Sequence, residues 1–223
     1  MLGRLFNSAI LAVCAFVFTV PVGIALGIVA GLNKNRWPDA LISLVTLAGV
    51  AQPEFVTGSV LVLIFAVGLR WLPATSTIGG QGIGQDVVGL ILPVLTLSLV
   101  LLAYIARMTR TSTMDVMETE YVRSAVLKGL PFRTVVTRHV LRNALLPTIT
   151  IIASNVGWLL GGIVVTESVF GYPGLGSLLL TAVQGRDVPT LQDVTLVIAL
   201  VFAMSNLIAD VLYAVLNPRV RYA

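Results

Sequence analysis

Residues 113–147 read TMDVMETEYVRSAVLKGLPFRTVVTRHVLRNALLP, the only long polar stretch in an otherwise apolar chain. Seven of the chain's 14 lysines and arginines lie in it or just before it: Arg107, Arg110, Arg123, Lys128, Arg133, Arg138 and Arg142. The pattern predicts two short amphipathic helices around a turn. In the first, Met114, Met117, Tyr121, Val122 and Ala125 recur at helical spacing, with Asp115, Glu118 and Lys128 off that stripe. Gly129 suits the left-handed residue that ends a helix. Pro131 suits the first position of the next helix, since it has no N–H to lose there. In the second helix Phe132, Val135, Val136, His139, Val140 and Asn143 share one side, and Arg133, Arg138 and Arg142 lie on others. Pro147 interrupts this pattern and introduces the next apolar run.

Working outward, the chain reads as an all-α polytopic membrane bundle. Hydrophobic residues make up 57% of it and charged residues 11%, with a mean hydropathy of +0.98; a soluble domain carries roughly 25% charged residues. Spans are expected at about 7–30, 40–69, 87–106, 145–165 and 194–216, with the polar loop at 107–144. The 40–69 stretch is too long for one straight crossing of about 20 residues, and Pro53 near its middle predicts a kink or a tilt. The first span is too long, and its flanks are wrong, for a cleaved signal peptide. The fourth contains Ala153, Ser154, Gly157, Gly161 and Gly162, small residues that permit close helix approach.

Charge orients the bundle. With the 107–144 loop in the cytoplasm, Lys34, Arg36, Arg219 and Arg221 join its seven basic residues, and only Arg4, Arg70 and Arg186 remain outside. The positive-inside rule therefore puts the C-terminus in the cytoplasm and the N-terminus outside, in a plasma (bacterial inner) membrane. The basic residues sort by membrane side and not onto a face interleaved with aromatics, so the net charge of +4 does not point to nucleic acid. A charged loop that merely sets topology is the bland reading of 113–147, against a docking surface.

No catalytic constellation is present. His139 is the only histidine and has no partner cluster for a metal, and Cys14, alone in an apolar run, has no partner for a disulfide. Gly79-Gly80-Gln81-Gly82-Ile83-Gly84 lacks the Lys-Ser/Thr ending of a phosphate-binding loop, so it reads as a flexible connection and ATP hydrolysis is not expected of this chain. Ionisable or polar residues at membrane depth are functional candidates by default. Glu54 follows Pro53 and either lines a path and meets a cargo amine, or is protonated, or pairs with a neighbouring subunit. Gln52 and Asn155 are candidate helix bridges, and Asn206 and Asp210 read as packing or snorkelling residues near the end of the last span.

Two blocks carry a resemblance. Glu120-Tyr121-Val122-Arg123-Ser124-Ala125, Lys128-Gly129-Leu130 and Arg138-His139-Val140-Leu141-Arg142-Asn143-Ala144-Leu145-Leu146-Pro147 resemble the cytoplasmic EAA loop of ABC-importer permeases, in its dipeptide/oligopeptide version. The loop's Glu-Ala-Ala positions are Arg123, Ser124 and Ala125 here, so its glutamate is absent. Thr166 to Leu179 is similar to that branch's Glu-x-Val-Phe-x-x-Pro-Gly-Leu-Gly block. The resemblance implies the transmembrane domain of a type I ABC importer: about five spans plus a cytoplasmic coupling helix, in a family that normally has one more span ahead of the one at 7–30. It implies a transport subunit without enzymatic activity or bound cofactor, with ATP and Mg on two separate ATP-binding subunits. A second permease, an extracytoplasmic substrate-binding protein and the lipid bilayer complete the implied partners. Tyr121, Arg123, Ser124, Ala125, Lys128, Gly129, Leu130, Pro131 and Phe132 would form the surface meeting the ATPase. Phe132 is either its apolar anchor or a residue packed on its own spans. Glu54, Gln52, Asn155, Glu167 and Phe170 would belong to the path or its outer gate. Di- or oligopeptides are the first cargo expectation; close relatives use nickel complexes or oligosaccharides. An ion-coupled carrier relying on Glu54 and Asp210, or a purely structural membrane subunit, are the rivals from other classes.

Overall fold

The computed structural model describes residues 1–76 and 83–216. Among them the chain is helical, with no strand. The Gly-rich connection around Gly79–Gly82 and the tail after Leu216 lie outside the described residues. The helices are α1 (Leu2–Leu32), α2 (Trp37–Ala51), α3 (Glu54–Leu61, continued by a π-helical turn Val62–Gly68), α4 (Ile83–Met117), α5 (Glu120–Leu127), α6 (Phe132–Thr134, continued by a π-helical turn Val135–Val140), α7 (Leu141–Phe170), α8 (Leu175–Gly185) and α9 (Val188–Leu216).

Three of these helices, over Leu2–Leu32, Val87–Met117 and Val188–Ile208, are long and apolar enough to cross a membrane. The number rises to five if each of two bent helix pairs is one span. The first bent pair breaks at Pro53, where the kink in 40–69 is expected, and more sharply than a kink. It is not a kinked rod: α2 and the α3 segment meet at 113°. Proline drives the residue before it out of the helical region. Gln52 accordingly sits at φ −114°, ψ 143°, and Pro53 starts α3 as its N-cap. Pro21, Pro93 and Pro147 lie inside helices without ending them, as membrane helices tolerate.

The packing core is α1 against α4, with α7 packed on α4 and also meeting α1. Glycine makes the first contact possible. A Cβ on Gly23 would lie 2.9 Å from Ile105, one on Gly27 2.6 Å from the Ala106 carbonyl oxygen, and one on Gly31 2.9 Å from the Arg110 carbonyl oxygen. These matched steps of four residues show α1 and α4 running parallel, backbone against backbone. Leu11, Ala15, Leu97, Leu101, Ile105, Leu159, Ile163 and Tyr172 form the central apolar cluster. Thr109 and Thr148 share a buried hydrogen bond of 3.1 Å between α4 and α7, which run antiparallel. The start of α1 and the end of α7 therefore lie at one end of the bundle, and the 113–147 segment at the other.

Candidate functional site

The polar stretch does form two helical arms around the Gly129 turn, but only the first is a separate helix, and its boundaries differ from those expected. Helix α4 continues to Met117, so Met114 and Met117 belong to its last turns rather than to the first loop helix. Thr119, in extended conformation, starts the eight-residue α5. Gly129 takes φ +75° in the turn that follows, the left-handed geometry expected of it. Pro131 is the N-cap of α6 and stands one place before the first helical residue, Phe132. Backbone helicity then runs without a break through the π turn into α7, and Pro147 does not interrupt it. The hairpin is thus built on outward prolongations of two long helices.

A small core of its own stiffens it. Val122, Ala125, Val135, Val140 and Ala144 are buried together, with Val116 and Met117 packed alongside. Fully burying one such valine stabilises by about 1.5–3 kcal/mol. The Tyr121 hydroxyl donates to the His139 carbonyl at 3.4 Å and accepts from Asn143 Nδ2 at 2.9 Å, pinning α5 to the other arm. Ala125, expected on the outer surface, is only 6% exposed. Its stripe with Val122 faces the hairpin core, so its part is to hold the knob together.

The rest of the predicted surface is open. Arg123, Ser124, Lys128, Gly129, Leu130 and Pro131 are exposed, and Arg123 makes only a surface pair with Glu120 at 3.3 Å. Phe132 is 60% exposed, which sets aside its packing on its own spans. The sequence reading missed Leu127, which is 87% exposed at the tip of α5. Its position off the Val122–Ala125 stripe was the available signal. Leu127, Leu130 and Phe132 make an apolar tip rimmed by Arg123, Lys128 and Arg133, an arrangement suited to a protein partner.

At the opposite end, Glu167 is fully buried within the chain. Ser8 Oγ donates to its Oε1, and the amides of Gly176 and Ser177 donate to its Oε2 at 2.7 and 3.2 Å. The carboxyl group thereby caps α8 at its otherwise unsatisfied first N–H groups and ties α8 to α1. A Cβ on Gly174 would collide with this carboxyl group. Asn7 donates to the Pro173 carbonyl at 2.8 Å, and the Tyr172 hydroxyl donates to the Asn7 carbonyl at 2.8 Å. Phe170 is buried against Gly58 of α3, and its carbonyl accepts from the Ser76 amide at 2.9 Å. Both residues expected at a gate are therefore parts of a lock that joins α1, α3, α7 and α8.

Glu54 opens α3 at the Pro53 break and lies against Gly162, where a Cβ would come within 2.6–2.7 Å of both carboxyl oxygens. Its Oε1 is buried without a hydrogen-bond partner. Gln52 is exposed beside it. Among the described residues Asn155 bridges no helices: its side-chain amide donates to the Ile151 carbonyl of its own helix at 2.8 Å. The sequence reading also missed Asp39, which is buried and accepts from Nε and Nη2 of Arg110 (the latter at 2.8 Å) and from the Asn35 amide at 3.0 Å. This bidentate clasp joins α2 to α4 just below the hairpin. Its sequence signal was a lone acid in the first turn of an apolar helix. No group of three or more metal-ligating side chains occurs among the described residues.

Span-length helices locked at one end and carrying a stiff, apolar-tipped basic arm at the other define a helical membrane protein with an exposed arm. Comparison with known proteins agrees. The family described as binding-protein-dependent transport system inner membrane component matches residues 23–222, and the chain belongs to it. It is a permease subunit of an ABC importer, of the peptide-type branch. It is 42% identical over 212 residues to the glutathione transport system permease protein GsiC of Escherichia coli (strain K12), covering 95% of this chain and 67% of that one. The same identity holds over 213 residues to the protein of that name from Pectobacterium atrosepticum, again with 95% and 67% covered. A crystal structure of an amino acid ABC transporter with histidines superposes with a TM-score of 0.69 at 13% identity, over 95% of this chain and 92% of that one, a likeness of fold alone.

Proposed function

We propose that this chain and a second permease line the path by which an ATP-driven importer takes small peptides across the inner membrane, a class that includes the glutathione carried by its relatives. The hairpin and the C-terminus face the cytoplasm, where the positive-inside count puts most of the basic residues. Two ATP-binding subunits, which hold ATP and Mg, receive the hairpin; an extracytoplasmic binding protein delivers cargo at the Glu167 end. The observation that carries this reading is the exposed tip of Leu127, Leu130 and Phe132 on an arm continuous with α7. Closure of the ATP-binding subunits moves this arm, and α4 and α7 follow as rigid bodies. ATP does work on the path only because the closed partner binds one permease conformation better than the other. Glu54, at the Pro53 break, is the path residue with a definite chemistry: its unpartnered carboxyl oxygen suits the ammonium of a free peptide N-terminus.

Co-purification tests it. The ATP-binding subunits come down with the wild-type chain and are weakened about thirtyfold or more by Phe132→Glu or Leu127→Glu, as for a central interface residue. Both side chains are exposed, so thermal stability stays unchanged; a substitution at buried Ala125 would lack that control. Retention of the ATPase by both variants refutes the docking surface. ATP-dependent glutathione and dipeptide uptake into vesicles tests the cargo; uptake driven by an ion gradient without ATPase favours the carrier instead.

A further inference from the structure

Between α2 and α4, at the hairpin end of the bundle, lies a groove of about 420 Å³. Ile42, Leu47 and Ala106 give it an apolar wall; Ser43, Arg107 and Arg110 give it a polar one. Arg110 spends Nε and Nη2 on Asp39 and keeps Nη1 uncommitted. Arg107, three residues earlier and so on the same helix face, is exposed, and its guanidinium makes no hydrogen bond or ion pair among the described residues. Asp39 neutralises one of the two guanidinium groups, which leaves the groove one net positive charge beside a cation already held in place.

The depth of the groove fixes what reaches it. Helix α4 has 35 residues, about 52 Å at 1.5 Å per residue, against a hydrocarbon core of about 30 Å. Its apolar run ends at Ala106, so Arg107 and Arg110 stand where the helix leaves the hydrocarbon and meets headgroups. Basic pockets between membrane helices at that level suit anionic headgroups. We propose that the groove holds an anionic phospholipid, its phosphate on Arg107 and on Nη1 of Arg110, with an acyl chain along Ile42 and Leu47. Soluble phosphate shares the headgroup chemistry but has no use for the apolar wall. By the Asp39 clasp, the bound lipid also sits where α2 and α4 are joined.

The test is native mass spectrometry of the complete purified importer with equimolar phosphatidylglycerol and phosphatidylcholine of matched chains. Wild type retains phosphatidylglycerol about fivefold over phosphatidylcholine, the preference expected of one added cation at the headgroup level. Arg107→Gln reduces the preference to parity, Arg107→Lys keeps it, and Arg142→Gln, an exposed charge on α7 away from the docking tip, leaves it intact. Millimolar inorganic phosphate does not displace the lipid. Equal retention of the two lipids by wild type, a preference that survives Arg107→Gln, or displacement by inorganic phosphate would each overturn the proposal.

Discussion

Replacing Glu167 tests the lock most sharply, because the two obvious substitutions have different expected costs. Glu167→Ala removes the acceptor of three donors at once: Ser8 Oγ–H and the amides of Gly176 and Ser177. All three groups lie at a buried or half-buried site. An orphaned buried donor costs about 1–3 kcal/mol; water entering the vacated space relieves part of that, so the sum is on the order of 3–5 kcal/mol. Glu167→Gln keeps one carbonyl oxygen for the two amides and turns an N–H₂ toward Ser8. Ser8 Oγ, which already accepts from the Leu175 amide at 2.9 Å, has a second lone pair and accepts that donor too. Only one donation is lost, about 1 kcal/mol. In a chain of this size 1 kcal/mol moves Tm by about 2–4 °C. The alanine variant should melt at least 6 °C lower in detergent, followed by fluorescence-detected size exclusion, and the glutamine variant no more than about 4 °C lower. Equal losses for both, or none for either, would refute the capping account and return Glu167 to the gate.

Other expectations follow from the same contacts. Gly27→Val drives a side chain into the Ala106 carbonyl and Thr109 and should cost about 1–3 kcal/mol by overpacking, read as a lowered Tm, whereas Gly3→Val, where nothing lies within 4 Å of a Cβ, should leave Tm unchanged. Asp39→Ala leaves the half-buried Arg110 without its carboxylate and should free α2 from α4, seen as faster amide exchange over residues 37–47; Asp39→Asn keeps part of the hydrogen bonding and should fall between. The hydrogen bond and charge of Lys34 hold the Glu118 carboxyl below its ordinary value of 4.5. A carboxyl group so lowered contributes its stability above the ordinary value and loses it as pH falls through the lowered one. The Tm difference between wild type and Glu118→Gln should therefore be constant from pH 7 to pH 5 and vanish on further acidification. Because both partners are exposed, added salt should shrink it.

Much of the protein is legible without coordinates. Long apolar runs admit no other home than a bilayer, and backbone groups in a bilayer must bond within their own helix. Gly129, Pro131 and Pro53 each announce a local backbone event, because the conformations open to glycine and proline are set by covalent geometry. What tertiary structure decided is which partner each side chain meets. Helical spacing separates Ala125, on the Val122 stripe, from Leu127, off it; the packing of α5 against the Val135–Val140 turn decides that the stripe is buried and Leu127 is open. Glu167 reads as a gate residue only through the resemblance of the Thr166–Leu179 block, whereas its donors come from Ser8, 159 residues away, and from two amides at the start of α8. Asp39 and Arg110 stand 71 positions apart, and no sequence pattern pairs them. Periodicity and propensity act within a turn or two of helix, whereas hydrogen bonds and close packing act across whatever the fold brings within a few ångströms.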